Sequence, residues 1–153
     1  MNRVIFDILS QNGWTADRKI DITNILNYLK ENNHSINQQQ REFLENFGEL
    51  EIFFEAQKRP KHKFVNSYNI QIFPTEYGIY QHYLDLYEIY AKSALIPIGG
   101  ISSYNTWLVL DTDLRIYGVF EYEIALLGEN IFEVIENLYE NREIYWDVVR
   151  PQI

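Results

Sequence analysis

The stretch TWLVLDTDLRIYGVF, Thr106 to Phe120, decides how the chain is read. Two runs rich in β-branched and aromatic residues, Thr106 to Leu110 and Arg115 to Phe120, flank Asp111-Thr112-Asp113. Aspartates between two such runs mark a β-hairpin, because their side chains hydrogen-bond the backbone two residues on and hold the bend. Towards the N-terminus, Ser93 to Ile98 reads as a further strand ending in Gly99-Gly100. Leu50 to Phe54 and Phe64 to Phe73 are strands too, the second alternating loosely through Val65, Tyr68, Ile70 and Ile72. Lys58-Arg59-Pro60-Lys61-His62-Lys63 lies between them as a solvated loop, where Pro60 and the charges oppose strand pairing.

Helical periodicity occupies the rest. Val4, Ile5, Ile8 and Leu9 recur at helical spacing until Gly13 and Trp14 stop the segment. Asp21 is placed to N-cap a second helix with Ile25, Leu26 and Leu29 on one face, decaying at Asn32 and Asn33. A third helix is expected from Asn37 to Phe47, closed by Gly48. Glu76 to Lys92 is the longest helical pattern, and Tyr80, Tyr83, Tyr87 and Tyr90 share one face of it with Tyr77 and Leu84 beside them. That tyrosine face admits two readings, a half-buried core face or a groove for a partner. The last helix starts near Glu129, with Ile131, Val134, Ile135 and Leu138 on its apolar face. Glu129, Glu133, Glu136, Glu140 and Glu143 recur at intervals of 4, 3, 4 and 3, a continuous acidic stripe. Like charges at these intervals weaken a helix by about 0.2–0.5 kcal/mol per pair, so the stripe is either a solvated face or a docking surface.

The 153 residues fit one domain, 1–153, with no internal repeat, low-complexity run or linker. Hydrophobic residues make up 46% and charged residues 23%, which excludes disordered and fibrous classes. Cysteine is absent, which excludes disulfides, thiolate metal sites and cysteine nucleophiles. Met1 to Leu9 carries Asp7 within its apolar stretch and no small-residue cleavage site, unlike a signal peptide. No window approaches the roughly 18 apolar residues of a membrane span. A cytoplasmic protein is expected, with no membrane partner. The net charge is −9, and Asp111 to Asp147 contains ten acids against Arg115 and Arg142 alone. Such a field repels nucleic acid and favours a basic partner.

Chemistry is sparse. His34 follows a helix end, His62 sits in the basic loop, and His82 with Asp85 gives only two metal-ligand types at i,i+3. Asp111-x-Asp113 lacks the glycine and later glutamate of a calcium loop. Gly99-Gly100 lacks the Lys-Ser/Thr of a phosphate loop, and Ser102 and Ser103 sit in no nucleophile elbow. No enzyme activity, metal or cofactor is expected.

Four stretches carry a family likeness: Gly13-Trp14 with Arg18-Lys19-Ile20-Asp21; Phe43-Leu44-x-x-Phe47-Gly48-x-Leu50; Pro97-Ile98-Gly99 before a hydrophobic strand ending in Asp111; and Leu127-Gly128 before Ile135 and Leu138. In these the chain resembles the third subgroup of the SUKH superfamily of bacterial immunity proteins. Glu49 departs from the pattern, which usually has a second glycine there. Gly13, Trp14, Arg18 and Gly48 are the structural signature: Gly13 for a chain reversal, Trp14 for the core, Arg18 for a carboxylate or carbonyls near the sheet. The resemblance implies an α+β fold, a central, mostly antiparallel sheet packed with N-terminal, middle and C-terminal helices. It also implies a role in neutralising a toxin, such toxins frequently being nucleases or deaminases. The reading that follows is an immunity protein, monomer or weak dimer, that occludes the active site of a cognate, basic toxin domain. Asp111, Asp113, Glu121, Glu123, Glu129, Glu133, Glu136 and Glu140 are the candidate charges, and Tyr83, Tyr87 and Trp107 the candidate anchors. The alternatives are a regulatory adaptor for a cellular protein and, more remotely, a hydrolase using His82 with nearby carboxylates.

Overall fold

The computed structural model describes residues 2–58 and 65–151. Most of the basic loop expected between the first two strands therefore lies outside the described residues. Three helices come first, α1 (Arg3–Gln11), α2 (Thr23–Glu31) and α3 (Gln38–Phe47). Then follow β1 (Glu51–Glu55), β2 (Ser67–Gln71), α4 (Gln81–Ala91), β3 (Ile96–Ile101), β4 (Thr106–Leu110), β5 (Ile116–Phe120), β6 (Glu123–Gly128), α5 (Ile131–Tyr139) and β7 (Asp147–Val148). Among the described residues this gives an α+β fold in which seven strands pair antiparallel in sequence order.

Alternation of side chains along a strand divides the sheet into two faces. Leu108 and Leu110 of β4, Ile116 of β5, and Ala125 and Leu127 of β6 enter the larger core, together with the apolar faces of α1, α2, α3 and α5. Val109, Tyr117, Val119 and Ile124 point the other way, into a smaller core with Leu84 and Tyr87 of α4. Helices α4 and α5 thus pack on opposite faces of one sheet.

The signature residues organise the start of the larger core. Trp14 is buried, stacks on Phe47 at 5.7 Å and donates its indole N–H to Asn46 at 3.0 Å. Arg18 reaches the carbonyls of Asn46 and Gly48 at 2.7 and 2.8 Å, so its fork binds carbonyls at the end of α3. Gly13 turns the chain at φ 91°. Gly48 has an ordinary φ of −57°, and its role is close approach, because a Cβ there would meet the Leu44 carbonyl oxygen at 2.4 Å. The left-handed residue is its neighbour Glu49, at φ 59°, the position where the likeness calls for glycine.

Several element limits differ from expectation, each for a physical reason. Asn37 closes a capping box with Gln40, so α3 begins at Gln38. Asp21 accepts from the Thr23 N–H at 2.9 Å but sits one residue before the N-cap, Ile22. Helix α4 starts at Gln81 rather than Glu76, after a short 3-10 turn at Pro74–Glu76. Tyr77 is thereby released from the tyrosine face, lies against Gly100, and donates its hydroxyl to Gln71 at 2.5 Å. β3 continues through Gly99-Gly100 to Ile101, since a Cβ on Gly99 would meet the Gln71 carbonyl at 1.8 Å and only glycine admits the neighbouring strand. Helix α5 is capped by Asn130 and ends at Tyr139, so Glu140 is its C-cap, Glu143 lies beyond it, and the acidic stripe is not a continuous helical face. β6 and β7 were not anticipated. The open edge of β1 is blocked by Asn12, whose side-chain amide exchanges two 3.0 Å hydrogen bonds with the Phe53 backbone.

Candidate docking surface

The hairpin expected from Thr106 to Phe120 is present in register, with Trp107 opposite Val119 and Leu110 opposite Ile116. Its Asp111–Arg115 bend lies at one end of the sheet. The β5–β6 turn, Glu121-Tyr122 between the paired residues Phe120 and Glu123, lies at the other. Five residues of β5 at about 3.4 Å each separate the two by roughly 17 Å. The candidate residues therefore fall into separate groups.

The first group surrounds Arg115, which contacts Asp111 at 3.5 Å, Asp113 at 3.3 Å and Glu129 at 2.7 Å. Asp111 is only 1% exposed. Its carboxylate accepts the backbone N–H groups of Asp113 and Arg115 at 2.8 and 2.9 Å, so it builds the bend and presents no free surface charge. Gln40 and Asn37 of α3 tie the same bend through the carbonyls of Asp111 and Thr112, each at 3.0 Å. Glu133, in the first turn of α5, contacts the Glu129 N–H at 3.3 Å. The second group lies at the far end of α5, where Arg142 pairs with Glu136 at 3.6 Å and with Glu140. The two arginines of the acidic third thus each collect several carboxylates.

The third group is aromatic. Trp107, Tyr83 and Tyr87 line one hollow of about 160 Å³, together with Tyr80, Phe120, Val119, Gly78, Ile79 and Glu121. β4 supplies Trp107, α4 supplies Tyr83 and Tyr87, and the β5–β6 turn supplies Glu121, so the hollow exists only when helix and sheet are assembled. The expected tyrosine face is graded in exposure: Tyr87 is 2% exposed, Tyr83 half-buried, and Tyr80 75% exposed. The stripe thus runs from a core position at Tyr87 to a solvent-facing one at Tyr80. Trp107 lies 6.1 Å from Phe120 and 6.0 Å from Tyr77, and Tyr83 packs edge-on against Tyr122 at 5.1 Å. The Tyr87 hydroxyl donates to the Glu121 carbonyl. Burial, then Tyr83 and Glu121, raise the Tyr87 phenol far above its usual range. Burial, then Tyr122 and Glu121, raise that of Tyr83. Both hydroxyls are therefore neutral at any physiological pH. Glu121 and Glu123 are exposed, and Glu121 is one of the residues lining the hollow.

Sequence reasoning placed Tyr80 on the tyrosine face but missed Gly78, Ile79, Phe120 and Val119 as lining residues. The hairpin register could have placed Val119 beside Trp107, but the loop before α4 carries no signal for where Ile79 folds. The ring of His82 lies 4.1 Å from that of Tyr83 and 5.9 Å from that of Tyr80. Among the described residues no three His, Cys, Asp or Glu side chains converge to hold a metal, and no helix is long and apolar enough to cross a membrane.

No curated protein and no solved structure matches the chain. A family model described as SUKH-3 immunity protein matches residues 1–141, a span that includes the signature, the whole hollow and α5. Immunity proteins of this kind are not enzymes. With nine-tenths of its length matched, the chain belongs to the SUKH-3 immunity protein family.

Proposed function

We propose that this immunity protein binds a cognate toxin domain with a basic surface, a nuclease or another enzyme acting on nucleic acid, and occludes its active site. The α4 face is the docking surface. The observation that carries this is the convergence of Trp107, Tyr83 and Tyr87 on one hollow whose lining includes the exposed acid Glu121. Interface energy concentrates in a few aromatic anchors that enter or form pockets, while rim charges set association rates and exclude wrong partners. The net charge of −9 favours a basic partner and disfavours nucleic acid. The protein acts in the cytoplasm, as a monomer or weak dimer, without a membrane partner.

The acids of α5 belong to a different surface. They lie on the opposite face of the sheet from Tyr83, and exposed charges separated by more than a Debye length of about 8 Å at physiological ionic strength are largely screened from one another. Docking through the aromatic hollow therefore engages Glu121 first.

Co-expression with a toxin domain encoded beside the gene, scored by survival and co-purification, tests the reading. Rescue with a stable complex is expected, and Trp107→Ala should weaken that complex by about 2 kcal/mol or more, the scale of an interface hot spot. Reversing Glu133, Glu136 and Glu140 to Lys together should leave binding within about threefold, because those side chains lie across the sheet. The opposite ranking would move the docking surface to α5. Cell death with no complex would overturn the role with that toxin.

A further inference from the structure

We infer that the aromatic hollow between α4 and the β4–β5–β6 hairpins is a receptor for a single arginine side chain projecting from a basic protein partner. The inference rests on the α4 face being the docking surface and names what enters it. A space of about 160 Å³ is close to the 150 Å³ that accommodates one benzene ring in an engineered protein cavity, so the hollow has room for one planar group. Its wall carries the rings of Tyr80, Tyr83, Tyr87, Trp107 and Phe120. Each ring presents a negative face, which attracts a cation positioned over it, and a guanidinium stacks on such faces better than an ammonium does.

Charge separates this occupant from an apolar one. A hollow meant for a leucine or phenylalanine gains nothing from an acidic residue in its lining, whereas the exposed Glu121 is part of the lining here. The Glu121 carboxylate is near enough to the Tyr83 and Tyr87 phenols to help raise both, after burial and a neighbouring tyrosine. Both phenols stay protonated, and the negative charge at the site is that of Glu121. The turn itself is costly. Glu121 adopts φ 50° as the first residue of a two-residue hairpin turn, where glycine, asparagine or aspartate relieves the strain. The turn is pinned from below by the Tyr87 hydroxyl on the Glu121 carbonyl, which fixes the backbone that carries the carboxylate.

The test uses the full chain and capped tripeptides Gly-Xaa-Gly in which Xaa is arginine, citrulline or phenylalanine, followed by NMR at the Trp107 indole N–H and the Gly78 and Glu121 amides. Citrulline keeps the length and planarity of arginine and removes the charge. The arginine peptide should bind at these signals about fivefold or more tightly than the citrulline peptide. Glu121→Gln should bring the two together, and raised salt should do the same. Citrulline or phenylalanine binding as tightly as arginine would overturn the inference, as would arginine leaving these signals unmoved at the highest soluble concentration. Because the peptides need no toxin, the outcomes separate. Arginine selectivity with no rescue in cells removes the toxin reading and leaves the receptor. Rescue without arginine selectivity removes the receptor alone.

Discussion

The Tyr87 hydroxyl of α4 hydrogen-bonds the main-chain carbonyl of Glu121, joining the helix to the β5–β6 turn across 34 positions of the chain. Tyr87→Phe keeps the ring in the smaller core and removes only this bond. Unfolding free energy in urea should fall by about 1 kcal/mol, the net value of one hydrogen bond, with the larger exchange change at the amides around Glu121. An unchanged stability would mean that water replaces the hydroxyl and that the turn is not held by it.

Glu49 is a left-handed residue at the α3–β1 junction, and its N–H donates to the Ile72 carbonyl at 2.7 Å. A side chain in that conformation costs about 1 kcal/mol relative to glycine, which adopts it freely. Glu49→Gly should therefore raise the urea midpoint, by about 1 kcal/mol in stability. A loss of stability would show that contacts of the glutamate, including its field at Arg18, outweigh the backbone strain.

The two aspartates of the β4–β5 bend should behave differently although they stand two positions apart. Asp111→Ala leaves two N–H groups of the bend without the acceptor that the buried carboxylate supplies and should cost about 2 kcal/mol. Asp113 is 72% exposed, and Asp113→Ala should stay within about 0.5 kcal/mol. Thermal unfolding of the pair decides this, and equal effects would contradict the burial of Asp111.

Tyr90 donates its hydroxyl to Asp147, tying α4 to β7, and the hydrogen bond to that carboxylate, with burial second, raises its phenol to about 12. In the unfolded chain the phenol ionises near about 10. A raised folded value means that the native state holds the proton longer, so the stabilisation is complete below about pH 10 and is lost as pH rises towards 12. Absorbance titration at alkaline pH should show a tyrosine ionising at about 12 that disappears in Tyr90→Phe, while the late ionisation of Tyr87 remains. A Tyr90→Phe difference spectrum with an ordinary midpoint near 10 would refute the coupling.

The third helix to within one residue at its start, the apolar spacing of α1, and the Thr106 to Phe120 hairpin are legible in the sequence, because each rests on local pattern. The signature around Trp14 and Arg18 was legible as a resemblance, and the structure supplies its physical content in the carbonyls of Asn46 and Gly48. The start of α4 was misread because Tyr77 and Tyr80 continue the helical spacing, while the contact that removes Tyr77, its fit over Gly100, involves a residue 23 positions away. β6 escaped notice because Ala125, Leu127 and Gly128 are poor strand signals on their own. It forms because β5 offers a paired edge.

By itself the sequence determined the α+β class, the family, the concentration of acids in the last third and the supply of tyrosines on α4, all properties of local pattern and composition. Only the tertiary structure decided which of those groups meet. Packing α4 and α5 on opposite faces of the sheet placed the tyrosines beside Glu121 and away from Glu133 and Glu136, and it drew Asp111 out of the surface and into the bend. The reason is that side-chain direction on each strand alternates with a period of two, so which face an element covers depends on register and crossover and not on the charge or aromaticity of its own residues.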